Sequence, residues 1–211
     1  MSPTRLLIAT HNPGKVREYR ELLADLPLEV TYLDAEGITF EVDETGSTFE
    51  ENAILKARAY AAATGLLTWA DDSGLEVDAL NGEPGVRSAR YGAPDARSDK
   101  ERTHYLLAKL AGVPAADRSA RFRCVVALVA PSGEVQTAEG AFDGRVADAA
   151  RGDNGFGYDP VFLVADFDYA CTLAELEPAI KNQISHRGRA ARNARVKLAQ
   201  MMETRQHEES S

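Results

Sequence analysis

"RLLIATHNPGKVREYRELLADLPLEVTYL", residues 5–33, reads as strand, helix and strand in succession. Residues 5–10 are an apolar run suited to a buried strand. Asn12 then stands where a helix is capped, and Pro13 takes the first helical position, where a missing N–H costs nothing. The helix is expected to end near Asp25, and "LEVTYL" returns as a strand over 28–33. The turn between strand and helix holds Gly14 and Lys15, a pair that raises the question of a phosphate-binding P-loop. That motif needs GxxxxGK followed by Ser or Thr. Here Ala9 stands in place of the first glycine and Val16 follows the lysine, so the P-loop reading fails at both ends. What remains is a helix N-terminus with outward N–H groups and one lysine, a plausible anion site.

Working outward, Thr48 and Glu51 form a capping box for a long helix that Gly65 stops. "LLTWA" predicts a strand ending at Asp71 and Asp72, and "GLEVDAL" a further short extended piece. Ser98 and Glu101 form a second capping box, for a helix ending near Gly112 and Pro114. "ARFRCVVALVA", residues 120–130, the turn "PSGE" and the returning "EVQTAEGAFDGRV" make a hairpin. "PVFLV" is a last short strand, Thr172 and Glu175 a third capping box, and residues 188 to about 203 an amphipathic helix. The expected fold is therefore α/β or α+β: a mixed sheet flanked by helices, in a single domain over 1–203 with a disordered tail over 204–211. The site is expected in a cleft between two lobes of a bent, elongated sheet.

Composition narrows the function. The 211 residues are 44% hydrophobic, enough for a substantial core, and carry a formal net charge of -9. An acidic chain without a basic, aromatic stripe argues against duplex or RNA binding, so an anionic ligand needs a local basic pocket. Cys124 and Cys171 lie in unrelated contexts without CxxC spacing, which suggests neither disulfide nor zinc and favours a reducing, cytoplasmic setting. The apolar stretch from Leu6 to Ala9 is too brief for a signal segment, and no apolar run reaches membrane-spanning length.

Several clusters fit either chemistry or ordinary structure. Asp71 and Asp72, followed by Ser73, are adjacent carboxylates that repel unless cations or donors compensate, as at magnesium sites; an acidic turn is the alternative. Asp43 and Glu44 add carboxylates before the long helix, where Lys56 shares a face with Asn52 one turn earlier. "NGEPGVRSARYGA" suits a loop over a ligand or a structural turn. In "GFGYDPVF", glycines flank an aromatic ring that fits a base-stacking platform or a core aromatic in a tight turn. "KNQISHRGRA" puts Lys181, Ser185, His186 and Arg187 around a helix N-terminus, where cations oppose the dipole unless an anion or carbonyl is near. His104 and His207 read as surface or helix residues; His11 either lines the site or faces water.

Taken together, "ATHNPGK", "ETGSTFEENAILKA", "ADDSGLEVDAL", "GEPGVRSARY", "GFGYDP" and "KNQISHRG" resemble, in order and spacing, the inosine triphosphate pyrophosphatase family. The resemblance runs from about residue 6 to residue 200. It implies a homodimeric, two-lobed enzyme that hydrolyses ITP, dITP and XTP to the monophosphate and pyrophosphate with Mg2+, with no nucleic acid or membrane partner. It implies that the loop Thr10, His11, Asn12, Pro13, Gly14 and Lys15 binds substrate, with Thr10, Asn12 and Lys15, joined by Lys56, as the phosphate ligands. Glu44 and Asp72 match metal ligands; Asp72 is also the expected general base, supported by Asp71. Ser73 matches a substrate contact, Phe156, Gly157, Tyr158 and Asp159 the segment that stacks on and borders the base, and Lys181, His186 and Arg187 the remaining nucleotide contacts. Donors on His186 or Arg187 would meet the 6-keto group of hypoxanthine or xanthine, whereas adenine presents a donor there. Guanine shares that keto group, so its exclusion falls to its 2-amino group.

Overall fold

A computed structural model describes residues 4–209, with side chains over 4–203. Its elements are β1 (Thr4–Ile8), α1 (Pro13–Leu22), β2 (Leu28–Tyr32), α2 (Phe49–Thr64), β3 (Leu67–Val77), α3 (Asp99–Lys109), β4 (Ser119–Val129), β5 (Val135–Val146), β6 (Phe162–Val164), α4 (Pro178–Ile184) and α5 (His186–Glu209). The six strands lie in the order β2-β1-β3-β4-β5-β6. β1 is parallel to β2 and to β3, and β5 is antiparallel to β6, so the sheet is mixed as expected. Side chains from residue 204 on, in the expected tail, lie outside the described residues.

The chain divides into two compact units. Among the described residues the first comprises 4–72, 124–140 and 188–209. Its core sets Leu6, Ile8, Trp69, Val126 and Leu128 of the strands against Tyr19 of α1, Leu23 at its C-cap, and Ala190, Ala191 and Ala194 of α5. Alanines along α5 let that helix approach the sheet closely, and Tyr19 meets Trp69 edge-on with ring centroids 5.3 Å apart. The connection β1-α1-β2 steps one way across the sheet, and β2-α2-β3 steps back past β1. Right-handed crossovers therefore put α1 and α2 on opposite faces. Strand alternation sends Trp69 and Asp71 to the α1 face and Asp72 to the α2 face.

The second unit comprises residues 73–123 and 141–187. Leu75, Val77, Leu106, Phe122, Phe142 and Phe162 form its core. Gly144 of β5 is needed for packing here, since a Cβ on it would stand 2.3 Å from the Leu163 carbonyl oxygen.

Three expectations need correction. The strand expected to end at Asp71 and Asp72, with a separate piece after it, is one strand through Val77. The aspartates find cationic and amide partners on α1 and α2, so the turn chemistry of Asp-Ser-Gly goes unused. The third capping box is present, but it closes only a single 3-10 turn over Leu173–Glu175, because Leu176 is extended and Pro178 starts a separate helix, α4. Lys181 consequently lies in the last turn of α4, where a cation is favoured by the dipole rather than opposed by it, and the terminal helix begins at His186 rather than near residue 188. The first two capping boxes, by contrast, hold both reciprocal bonds, and Gly65 ends α2 in the left-handed conformation at φ 68°.

Candidate functional site

In the first unit the acidic residues gather around lysines. Asp71 and Asp72 are buried, at 3% and 6% exposure. Because they occupy consecutive strand positions, they do not share a partner set. Asp71 Oδ2 lies 2.9 Å from Lys15 Nζ, at the start of α1, and 3.8 Å from the thiol of Cys124 on β4. Asp72 accepts from Asn52 Nδ2 at 3.0 Å and faces Lys56 Nζ at 3.7 Å, both on α2. Lys56 also donates to Glu44 Oε1 at 2.5 Å. One ammonium thus touches both carboxylates expected to hold a metal. Burial pushes the Asp72 carboxyl above the usual range; Lys56 pulls it back only in part, while Glu44 pushes it further up. Burial acts to lower the Lys56 ammonium, yet Asp72, Glu44 and Asp71 outweigh it and hold its pKa above the ordinary lysine value.

The first loop differs from a simple anion-binding helix start. Asn12 caps α1 as expected, and its Oδ1 accepts from the N–H groups of Gly14 and Lys15 at 2.8 and 3.2 Å. Val16 N–H bonds the Asn12 carbonyl at 3.1 Å, and Pro13 has no N–H to offer. The outward N–H groups of the sequence reading are therefore already engaged. Thr10 Oγ1 accepts from Asn12 N–H at 3.2 Å, bracing the turn.

His11 leads from the same loop to the segment before α2. Its Nδ1 is 2.7 Å from Asp34 Oδ1 and its Nε2 is 3.4 Å from the Phe40 carbonyl oxygen. Only an imidazolium donates to both acceptors at once. Desolvation acts to lower its pKa, but the Asp34 and Phe40 bonds and the charges of Asp34 and Glu41 outweigh it, raising it above 6.5. A raised folded pKa means that the histidine's contribution is complete below pH 6.5 and is lost as pH climbs through the higher folded value. His11→Gln is expected to remove that pH dependence, a change of less than about 1 kcal/mol because Asp34 is largely in solvent. Urea unfolding of both proteins across this pH range checks it; parallel stability curves would count against the imidazolium.

In the second unit, Phe156 is accompanied by two cations, with Lys181 Nζ 4.7 Å and Arg187 Cζ 5.3 Å from the ring centroid. Lys181 is also paired with Asp159 Oδ2 at 2.6 Å, both side chains being only 4% exposed. Asp159 Oδ2 in turn accepts from Phe156 N–H at 2.9 Å. A Cβ at Gly155 would stand 2.1 Å from that oxygen, so the glycine keeps the turn closed. Arg187 donates to Ser73 Oγ at 3.1 Å, and His186 stacks flat on Phe122 at 4.6 Å. Tyr158 is a core ring whose hydroxyl donates to the Ser88 carbonyl at 2.8 Å, and burial pushes its pKa up. The arginine-containing loop forms a 3-10 segment over Gly85–Arg90, fastened by Ser88, with Arg87 and Arg90 exposed.

The structure brings together Lys15, Glu44, Lys56, Asp71 and Asp72 in one unit, and Ser73, Phe156, Asp159, Lys181 and Arg187 in the other. Sequence reading missed Asp99, whose Oδ2 accepts from Gly157 N–H at 2.8 Å. Its position at the start of a capped helix gave it only a dipole role to play.

An α/β protein with carboxylates held by lysines in one unit, and an aromatic ring flanked by buried cations in the other, is the class these features define. Comparison with known proteins is more specific. The Ham1 family model matches residues 6–197. A dITP/XTP pyrophosphatase of Symbiobacterium thermophilum is 51% identical, covering 96% of this chain and 99% of its own, and that of Bacillus subtilis is 47% identical, covering 93% and 96%. A HAM1 protein structure from Coxiella burnetii superposes with a TM-score of 0.83 at 42% identity, covering 93% of this chain and 99% of its own. The Staphylococcus aureus Ham1 protein superposes at 0.81 and 43%, covering 94% and 100%. The chain belongs to the Ham1 family, in agreement with the resemblance read from its six motifs.

Proposed function

We propose that this protein hydrolyses the noncanonical purine nucleoside triphosphates ITP, dITP and XTP to monophosphate and pyrophosphate, removing deaminated purines from the nucleotide pool. The observation that carries this reading is the convergence of Glu44 and buried Asp72 on one Lys56 ammonium. A binding protein gains little from buried carboxylates facing phosphates, whereas a hydrolase needs a base and a counter-cation there. The relatives' activity on dITP and XTP supports the substrate class.

Glu44 and Asp72 suit magnesium: both are hard oxygen donors, and both already reach a single cationic centre. Among the described residues no group of three or more His, Cys, Asp or Glu forms a metal cage. Magnesium needs none, since it is often held by one or two carboxylates with water and substrate phosphates. The metal would supply charge neutralisation on the phosphates. Lys15 and Lys56 bind and orient the triphosphate, and Lys56 offsets repulsion between the substrate and the acidic groups. Asp72, with a pKa raised by burial, takes a proton from the attacking water, whose oxygen bonds to the α-phosphorus as the bond to the departing pyrophosphate breaks. On the base side, Phe156 offers the stacking surface, and donors of His186 and Arg187 meet a 6-keto oxygen. Against adenine they meet another donor, and an unmatched buried donor costs about 1 to 3 kcal/mol, roughly a fivefold to 150-fold preference. The enzyme is read as a cytoplasmic homodimer; among the described residues no helix is long and apolar enough to cross a membrane.

Anion-exchange analysis of products, after incubation with ITP, dITP, XTP, GTP, ATP and dTTP with and without magnesium, tests this reading. Monophosphate and pyrophosphate from the first three, dependent on metal, is the expected result. Diphosphate with orthophosphate would mean attack at the γ-phosphorus and overturn the mechanism.

A further inference from the structure

We propose that Asp99 is a positioning residue for base recognition: from the first turn of α3 it fixes the backbone of Phe156 and so the plane of its ring. The inference rests on the reading of Phe156 as the base platform. The peptide before Phe156 is fastened by its own N–H to Asp159 Oδ2 at 2.9 Å, and the peptide after it by Gly157 N–H to Asp99 Oδ2 at 2.8 Å. Each of the ring residue's two backbone rotations is thus pinned by a carboxylate. Thr103, one helical turn beyond Asp99 and buried, approaches the Gly157 carbonyl with its hydroxyl at 3.4 Å. Both polar groups of Gly157 therefore meet α3. This restraint is needed because glycines stand on either side of Phe156, both in the left-handed region at φ 78° and 63°. Such residues lose the most conformational freedom on ordering.

Asp99 is not required to cap its own helix. Ser98 Oγ accepts from Glu101 N–H, and the Glu101 carboxylate takes the N–H groups of Arg97 and Ser98. Arg102 pairs with the other oxygen of Asp99 and aims the carboxylate. The Asp99 side chain is 48% exposed, so truncation leaves no buried void. Its loss is expected to loosen the ring without unfolding the unit.

The test compares wild type, Asp99→Ala and Asp99→Asn for binding of ITP, supplied as its non-cleavable α,β-methylene analogue, and of base-free inorganic tripolyphosphate by calorimetry with magnesium, and for kcat and KM on ITP. A charge-assisted bond to a backbone N–H is the interaction removed, so Asp99→Ala is expected to weaken ITP binding and raise KM about tenfold, with kcat within about twofold. Tripolyphosphate binding is expected to stay unchanged. Asp99→Asn retains an acceptor for Gly157 and is expected to stay within about threefold of wild type. Equal losses for ITP and tripolyphosphate, or no loss for either, overturn the inference. If wild type itself binds ITP no better than tripolyphosphate, the base-platform reading fails and this inference falls with it; if wild type discriminates and Asp99→Ala does so equally, only the inference fails.

Discussion

Asp72→Asn is expected to lower kcat on ITP by roughly 10²- to 10⁴-fold, the usual worth of a positioned general base, while leaving nucleotide affinity within a few-fold. The substitution keeps the shape of the side chain. Its amide oxygen can still accept from Asn52 Nδ2, which bonds Asp72 at 3.0 Å, and Lys56 keeps Glu44 as an anionic partner at 2.5 Å. What disappears is an anionic oxygen able to take a proton at neutral pH, and with it one of the two carboxylates proposed for magnesium, leaving Glu44 and the substrate phosphates to hold the metal. The burial that raises the pKa of Asp72 also makes its carboxylate a stronger base than an exposed one. Asp71→Asn provides the contrast, since Asp71 faces Lys15 across the other side of the strand. Its loss is expected to act on triphosphate binding through Lys15 more than on the chemical step. Pyrophosphate release measured beside the ITP dissociation constant separates the two. An Asp72→Asn enzyme with kcat within tenfold of wild type would remove Asp72 from the base role.

How much of this was legible before the structure depends on how local each signal is. The caps at Asn12, Thr48 and Ser98 are written in residues three or four apart, and each forms as read. The box at Thr172 forms too, yet a short-range signal cannot tell how far a helix will run, and Pro178 cuts that one off. The aspartates at 71 and 72 carried strong turn character. Their strand assignment depends on Lys15, Asn52 and Lys56, which come from distant positions in the chain. A tertiary pairing of that kind overrides local preference and leaves no trace in spacing. Motif order did single out Lys15, Glu44, Lys56, Asp71 and Asp72, which the structure gathers in one unit, and Ser73, Phe156, Asp159, Lys181 and Arg187, which it gathers in the other. It did not identify Asp99, whose partner is a backbone N–H and could sit beside almost any residue type.

Lys181→Met is expected to destabilise the protein by about 3 to 5 kcal/mol, the cost of breaking a buried ion pair from one side. Lys181 and Asp159 are each 4% exposed and 2.6 Å apart, so the substitution strands a carboxylate where water cannot reach it easily. The exposed pair Arg5 and Glu29, at 42% and 55%, gives the scale for comparison: Glu29→Gln there is expected to cost under about 1 kcal/mol. The remedy for the buried site follows from its second bond. Asp159 Oδ2 also accepts from Phe156 N–H, a role that an amide oxygen can fill without charge. The double variant Lys181→Met/Asp159→Asn is therefore expected to recover most of the lost stability while still binding nucleotide less well, because one of the two cations beside Phe156 is gone. Urea unfolding of the four proteins in the cycle measures the coupling directly. A double variant no more stable than Lys181→Met alone would show that the stranded charge is not the source of the loss, and that the lysine acts there chiefly through its contact with the ring.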